Sequence, residues 1–349
     1  MPKMKRIAEH SGSSNQSSSE NILIDNYGRR INYVRLSVTD RCNLRCIYCM
    51  PEHTRFLPKL DLLSYDEMLR LMQILASLGI TKVRLTGGEP FVWKDMMPFL
   101  KALRTIEGIR KIHLTTNGVL TGKFVPELKA LDIAGINLSL DSLDRDRFYK
   151  ITRRDDFSAV MDCLHKMIEY EISVKVNCVL MEGQNTEDLI PMAQLTRDYP
   201  LDVRFIEEMP FNGTDGGKSK LRWHYRRIIE ELKSEFPGIY KLEDEPASTS
   251  MNFQIPGHKG SVGIIAGFSR TFCGTCNRIR INAKGMLQTC LYGDSVLDVR
   301  QLLRNRANDE EIKTAFQNAI GSRFKDGWAA EAARKTSSEI TESMSLIGG

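Results

Sequence analysis

The sequence predicts an α/β protein in which six parallel strands form a partial (β/α)6 TIM-type barrel, with the rest of the chain as a C-terminal segment closing the barrel mouth. Three observations carry this. Short β-branched runs alternate with helical stretches six times before Met209, each run passes through a turn into its helix, and strand after strand sets a polar face against an apolar one.

The strands are expected at Val34–Thr39, Lys82–Thr86, Lys111–Thr116, Ile136–Asp141, Ser173–Leu180 and Asp202–Glu207. In the first, Val34, Leu36 and Val38 oppose Arg35, Ser37 and Thr39; in the second, Val83 and Leu85 oppose Arg84 and Thr86. The third sets Ile112 and Leu114 against His113, Thr115 and Asn117, and the fourth sets Ile136, Leu138 and Leu140 against Asn137, Ser139 and Asp141. The fifth sets Val174, Val176 and Cys178 against Lys175 and Asn177. The first helix begins at Ser64-Tyr-Asp-Glu67, a capping box in which Ser64 and Glu67 each satisfy a free backbone N–H.

Strands joined by helices run parallel through right-handed crossovers, as a doubly wound sheet or as part of a barrel. Parallel strands covered on both faces read as nearly continuous apolar runs. A polar face repeated on every strand therefore points to a barrel with a wet, ligand-holding interior. An open sheet with one solvated face is the alternative, although crossover helices would normally cover that face.

The chain has 349 residues, 42% hydrophobic and 27% charged, so it can bury one large α/β core or two smaller ones. The net charge is +5 without Lys/Arg blocks, which suits a small anionic substrate as well as nucleic acid. No apolar run reaches the length of a membrane span. Residues 1–20 hold Ser11, Ser13, Ser14, Ser17, Ser18 and Ser19 with almost nothing apolar, and are expected to be disordered. Lys3, Lys5 and Arg6 would suit a transit peptide, but Glu9 and Glu20 count against one. The expected location is the cytoplasm, with the mitochondrial matrix as the alternative if residues 1–20 belong to such a peptide. After Met209, Gly213, Gly216 and Gly217 mark a loop. The expected division is an extension at 1–20, the barrel at 21–215 and the C-terminal segment at 216–349.

Six of the eight cysteines fall into two clusters, which suggests metal in a reducing compartment rather than a disulfide scaffold. Cys42, Cys46 and Cys49 follow the first strand, where barrel enzymes place functional loops. Three thiolates leave one iron of a [4Fe-4S] cube open to a small molecule. A zinc site completed by His53 is the alternative, although zinc pairs normally show two-residue gaps and this run begins with three. Cys273, Cys276 and Cys290 form a second triad with no obvious fourth ligand, again an open cluster or an incomplete zinc knuckle. Arg278 and Arg280 share a strand face between these ligands, and Arg35, Arg84, Lys175 and Arg204 project from the polar side of the barrel. Six cations in one cavity call for an anion, and arginine forks suit phosphate; any one of them could instead be an ordinary surface ion pair. Cys163 and Cys178 are expected in the core. Glu89 and Asp141 are acids at strand ends to which no role is assigned.

The first triad, with Tyr48 before its last cysteine, and Thr86-Gly87-Gly88-Glu89-Pro90 resemble the radical S-adenosylmethionine (SAM) signature and its GGEP element. Taken with Arg35, Thr115-Thr-Asn-Gly118, Ser139, Lys175, Arg204-Phe-Ile-Glu207, Met209, the second triad and the Gly348-Gly349 ending, the sequence from about residue 22 onward resembles the GTP 3′,8-cyclase family of molybdenum-cofactor biosynthesis. The resemblance implies a C-terminal cluster-binding segment, two [4Fe-4S] clusters and SAM. It places SAM against Tyr48, Gly88, Ser139 and Met209, and GTP against Arg35, Arg84, Thr115, Lys175, Arg278, Ile279 and Arg280. It implies a radical cyclisation joining ribose C3′ to guanine C8, and a double-glycine tail that reaches the active site and is needed for activity. Its partners would be GTP, an electron donor such as flavodoxin or a similar reductant, and a downstream cyclic pyranopterin monophosphate synthase. A homodimer is one option for the assembly, and neither nucleic acid nor a membrane is expected. Another radical SAM enzyme with an auxiliary cluster, of the peptide-maturase type, is the alternative within the superfamily; a zinc-stabilised RNA-binding module is the alternative outside it.

Overall fold

The computed structural model describes residues 22–209 and 221–334. The Ser-rich start, the loop glycines 213, 216 and 217 and the Gly348-Gly349 ending lie outside them. Six parallel strands follow one another: β1 (Tyr33–Ser37), β2 (Lys82–Thr86), β3 (Lys111–Thr116), β4 (Gly135–Ser139), β5 (Val174–Leu180) and β6 (Asp202–Glu207). Between them run α1 (Tyr65–Ser77), α2 (Met96–Arg104), α3 (Val125–Ala130), α4 (Arg145–Thr152), α5 (Phe157–Glu169) and α6 (Leu189–Asp198). Helix α1 starts at the expected capping box: the Glu67 N–H donates to Ser64 Oγ (3.2 Å), and the Ser64 N–H donates to Glu67 Oε2 (2.7 Å). It then buries Met68, Leu71, Met72 and Leu75 at helical spacing against the sheet.

The apolar strand faces are buried with the helices in one core, among them Val34, Leu36, Val83, Leu85, Leu114, Leu138, Val176 and Phe205. Cys163 and Cys178 are in that core too, as expected. The opposite faces carry Arg35, Arg84, His113, Asn137, Lys175 and Arg204 into a central cavity.

The C-terminal part of the chain extends this same sheet at both edges. It contributes α7 (Tyr225–Glu235), β7 (Tyr240–Lys241), β8 (Ser250–Gln254), β9 (Ser261–Ile265), β10 (Arg278–Ile281), β11 (Met286–Gln288) and β12 (Leu297–Asp298), followed by α8 (Val299–Arg304), α9 (Asp309–Gly321) and α10 (Gly327–Ala332). Strand β9 pairs parallel with β6, and β10 pairs parallel with β1. The order is β12-β11-β10-β1-β2-β3-β4-β5-β6-β9-β8-β7, so eight strands run parallel in a row and the barrel stays open. The chain between β9 and β10 must cross from one end of this arc to the other. The C-terminal segment thus spans the open side without closing the sheet, and the second cysteine triad lies on that bridge and on the turn after β11.

Helix α4 ties the core to the first cysteine loop. Its carbonyls at Ile151 and Thr152 accept the N–H groups of Ile47 and Arg45 (2.9 Å each), and Phe148 anchors it edge-on against Phe157 at 5.6 Å. Phe148→Ala is expected to cost about 3–5 kcal/mol of stability. Because the loop leans on this helix, iron bound by the first triad should fall more than iron bound by the second, a difference that chemical denaturation and iron analysis together would show.

Candidate active site

Arginines and a tyrosine stand on neighbouring rungs of the sheet, which is what gives the cavity its charge. Arg35 is in register with Arg84 on one side and Arg280 on the other, and Arg84 with His113. One rung nearer the strand starts, Tyr33 lies between Arg278 and Lys82, with Lys111 beyond. Neighbouring strands are about 4.8 Å apart. Unit charges at that spacing repel by roughly 3 kcal/mol at an effective dielectric near 20.

The ionisation of these groups reports that crowding. Burial, then Arg280 and Arg84 among its neighbours, pushes Arg35 well below the usual arginine range. Arg280 is lowered by burial and by Arg278, and Arg204 by burial and by Arg84. Burial, then Arg84, Lys82, Lys111 and Lys175, holds His113 down at about 3, so its imidazole is neutral. Burial would raise Tyr33, yet Arg84, Arg35 and Arg278 pull it down to about 7. Its hydroxyl accepts the Arg84 Nε–H at 2.8 Å.

Some of this charge is answered within the protein. Lys175 pairs with Asp202, which also accepts from Ser261 Oγ (2.7 Å). Arg84 donates to the Leu114 carbonyl (2.7 Å) and to Thr115 Oγ1 (3.4 Å), and Arg278 donates to the Ala247 carbonyl (2.8 Å). Among the described residues, Arg204 Nε and Arg278 Nε are buried without an acceptor, which is costly unless a ligand supplies one. The cavity of about 650 Å³ holds all six cations named from the sequence and is also lined by Cys273, Cys276 and Cys290. Ile279 is placed differently: it is fully buried in the core and does not line the cavity.

The first triad lies beyond the other, C-terminal ends of the strands. Cys42 Sγ accepts the Leu44 N–H at 3.4 Å and Asn117 Nδ2 at 3.7 Å. Burial raises the Cys42 thiol to about 11; burial and then Asp141, Cys49 and Cys42 hold Cys46 well above the usual thiol range. Tyr48 donates to Asp141 Oδ2 (2.9 Å), whose Oδ1 accepts the Val179 N–H (2.9 Å), so the ring beside the last cysteine is anchored to the ends of β4 and β5. Burial raises Asp141 to about 6.

The glycines after β2 are required by close packing. A Cβ on Gly88 would sit 2.5 Å from the Arg41 carbonyl oxygen, and one on Gly87 would sit 2.6 Å from that of Thr39. The Gly88 and Glu89 N–H groups donate to Thr39 and Arg41 (2.8 Å each), which leaves carbonyls as the groups a ligand amine would meet. Glu89 is buried and acts as a brace: it accepts from Phe91 N (3.1 Å), Thr116 Oγ1 (2.9 Å) and Asn117 N (2.7 Å). Burial raises it to about 7. Gly88→Ala is therefore expected to force the Cys42 loop to shift, at a cost of about 1–3 kcal/mol, with lower iron retention as the reading. Ser139 ends β4 half-buried, and Met209 packs with Cys273, Tyr292 and Cys290.

The donor sets suit clusters. Burial raises the thiols of Cys42, Cys46, Cys273 and Cys290, whereas at Cys276 burial is outweighed by Arg278 and Arg323 and the thiol is lowered; the iron of a cluster would supply the positive charge that holds the raised thiols as thiolates. Among the described residues, no three Cys, His, Asp or Glu side chains converge as ligands of one metal ion would, and His53 is exposed. A cube takes each thiolate on a different iron and so accepts wider spacing.

Residues 36–196 match the radical SAM superfamily, and residues 201–327 match the family described as Molybdenum Cofactor Synthesis C. The chain is 44% identical to molybdenum cofactor biosynthesis protein 1 of Bos taurus across 86% of its own length, but spans only about half (47%) of that relative. It is 42% identical to the mitochondrial GTP 3′,8-cyclase of Arabidopsis thaliana, covering 89% of this chain and 79% of the relative. With the GTP 3′,8-cyclase of Syntrophomonas wolfei it shares 40% identity over 90% of this chain and 98% of the relative. Among solved structures, SuiB of Streptococcus suis bound to S-adenosylmethionine shares the fold, with a TM-score of 0.59 at 14% identity over 81% of this chain and 68% of that one.

Proposed function

The chain belongs to the GTP 3′,8-cyclase family within the radical SAM superfamily, and on that premise we propose that it converts GTP to (8S)-3′,8-cyclo-7,8-dihydroguanosine 5′-triphosphate, the first step of molybdenum-cofactor biosynthesis. The observation that carries this is the electropositive cavity lined by Arg35, Arg84, Lys175, Arg204, Arg278 and Arg280 beside the second triad.

In this reading Cys42, Cys46 and Cys49 hold one [4Fe-4S] cluster and Cys273, Cys276 and Cys290 hold another. The first cluster, when loaded, supplies the electron for reductive cleavage of SAM, which starts hydrogen abstraction from ribose C3′. Tyr48, Gly88, Ser139 and Met209 position SAM, with Tyr48 fixed by Asp141 and Gly88 offering backbone acceptors to the amino group. The stacked arginines take the triphosphate oxygens, since guanidinium forks match them in charge and geometry. Thr115, steered by Arg84, completes the nucleotide site. His113 stays neutral beside them and can donate or accept a hydrogen bond without adding charge.

We divide the chain into a barrel at 21–215 and a cluster-bearing segment at 216–349, preceded by the extension at 1–20; the two family matches support a two-part chain, although they meet near residue 200, before β6. The electron donor would be flavodoxin or a similar reductant, and the product would pass to a cyclic pyranopterin monophosphate synthase. No helix among the described residues is long and apolar enough to cross a membrane. The cytoplasm is the location we favour, with the mitochondrial matrix as the alternative; the Arabidopsis relative is named as mitochondrial.

The test is anaerobic reconstitution with iron and sulfide, followed by incubation with SAM, a strong reductant and each nucleoside triphosphate in turn. Formation of 5′-deoxyadenosine and a cyclised nucleotide with GTP, and with no other nucleotide, is the expected result. Zinc in place of iron, or equal turnover of all nucleotides, would overturn it.

A further inference from the structure

The second triad hangs on a buried ionic network that lies outside every motif read from the sequence. Asp25, whose side chain has no exposed surface, accepts the N–H groups of Tyr27 (2.9 Å) and Arg29 (3.0 Å) and the Arg29 Nε–H (2.6 Å). Arg29 in turn donates to the carbonyl of Cys273 (3.0 Å).

Arg323 faces the same carboxylate from the other side, its Nη1 3.6 Å from Asp25 Oδ2, with 3% of its side chain exposed. Its Nε–H donates to the carbonyl of Thr289 (2.9 Å), the residue before Cys290. Its Nη1 donates to the Cys276 carbonyl (2.8 Å), and its Nη2 reaches the Cys276 sulfur (3.0 Å) and the Arg278 carbonyl (3.2 Å). Two guanidinium groups share one carboxylate here, so the network carries one excess positive charge. A buried charge left uncompensated costs several kcal/mol, and the sulfur that Arg323 touches is a metal ligand when deprotonated.

We propose that Arg323, braced by Asp25, is a positioning residue for the second cluster: it donates an N–H···S hydrogen bond to the Cys276 thiolate, fixes that ligand in place, and makes the second cluster easier to reduce. Hydrogen bonds to cluster sulfurs and nearby positive charge both raise a cluster's potential, and outer partners of metal ligands tune affinity as well. In the first triad, Cys42 Sγ accepts instead from neutral groups, the Leu44 N–H and the Asn117 amide. The inference rests on the second triad holding a cluster, as read above.

The experiment uses the full-length chain reconstituted with both clusters, in wild type, R323Q and R323K, with iron and sulfide content and an EPR-monitored redox titration as readouts. Adding SAM identifies the first cluster's signal, because SAM perturbs only the cluster it binds. The expected result is that R323Q shifts the second cluster to a more negative potential and alters its signal, leaves the first cluster unchanged, and that R323K, which keeps a charge but loses the fork, shows a smaller shift. Two intact clusters in R323Q with wild-type potentials would overturn the proposal alone. Should R323Q fail to retain the second cluster, R323K decides: a negative shift supports the role and an unchanged potential overturns it. Wild-type protein that holds only one cluster would sink both this inference and the reading of the second triad.

Discussion

Replacing Cys42, Cys46 or Cys49 by Ala is expected to abolish SAM cleavage, to the background seen without protein. An open cluster already has only three protein ligands, and each thiolate lost removes the group that receives the electron. Cys273→Ala should behave differently. The first triad sits beyond the C-terminal strand ends, on a loop held by α4 and by the Gly87-Gly88 turn, while Cys273 sits on the bridge across the open side. That variant should keep the first cluster and still form some 5′-deoxyadenosine, yet make no cyclised nucleotide. Normal SAM cleavage in a first-triad variant, or normal cyclisation in Cys273→Ala, would each remove one cluster from the account. Iron content measured alongside product tells loss of a cluster from loss of fold.

Arg280→Ala is expected to weaken GTP binding by about 1.5–3 kcal/mol, the loss of one charged hydrogen bond, or roughly 10- to 150-fold in Kd. Arg280 is on the same rung as Arg35 and Arg84, so the phosphate oxygens that neutralise one approach all three. Arg278→Ala should have an effect of the same size, because its partners among the described residues include a backbone carbonyl but no carboxylate. Lys175→Ala should cost less, since Asp202 already answers that charge. Calorimetric titration with GTP would rank the three, and unchanged affinity in both arginine variants would show them to be structural charges.

The strands were legible because alternation is a short-range signal that survives in any context. Lys82–Thr86, Lys111–Thr116 and Asp202–Glu207 fall where the pattern puts them; the first and fourth strands each begin one residue earlier and end two residues earlier than expected, and the fifth begins one residue later. The same alternation places Tyr33 and Lys82 in the cavity beside Arg35 and Arg84. Starting the first strand at Val34 hid Tyr33, and Lys82 was passed over although it lies two residues before Arg84. The parallel pairings of β9 with β6 and of β10 with β1 were not legible, because four or five residues such as Arg278–Ile281 carry a strand signal but nothing that names a distant partner, which for Arg278 is Tyr33. The Asp25–Arg29–Arg323 network was hidden for the same reason: each member alone reads as a surface charge, and only the fold brings them to the second triad. The brace formed by Glu89 was visible only as an acid beside two glycines, and the structure shows it holding the β2 and β3 ends together.

The fate of the ribose C3′ hydrogen separates this cyclisation from every other radical SAM reaction of GTP. GTP carrying deuterium at C3′ is incubated anaerobically with the reconstituted chain, SAM and a reductant, and the 5′-deoxyadenosine is analysed by mass spectrometry. The account predicts one deuterium in the 5′-deoxyadenosine together with an isomer of GTP joined between C3′ and C8. Unlabelled 5′-deoxyadenosine formed alongside intact, fully deuterated GTP would contradict it.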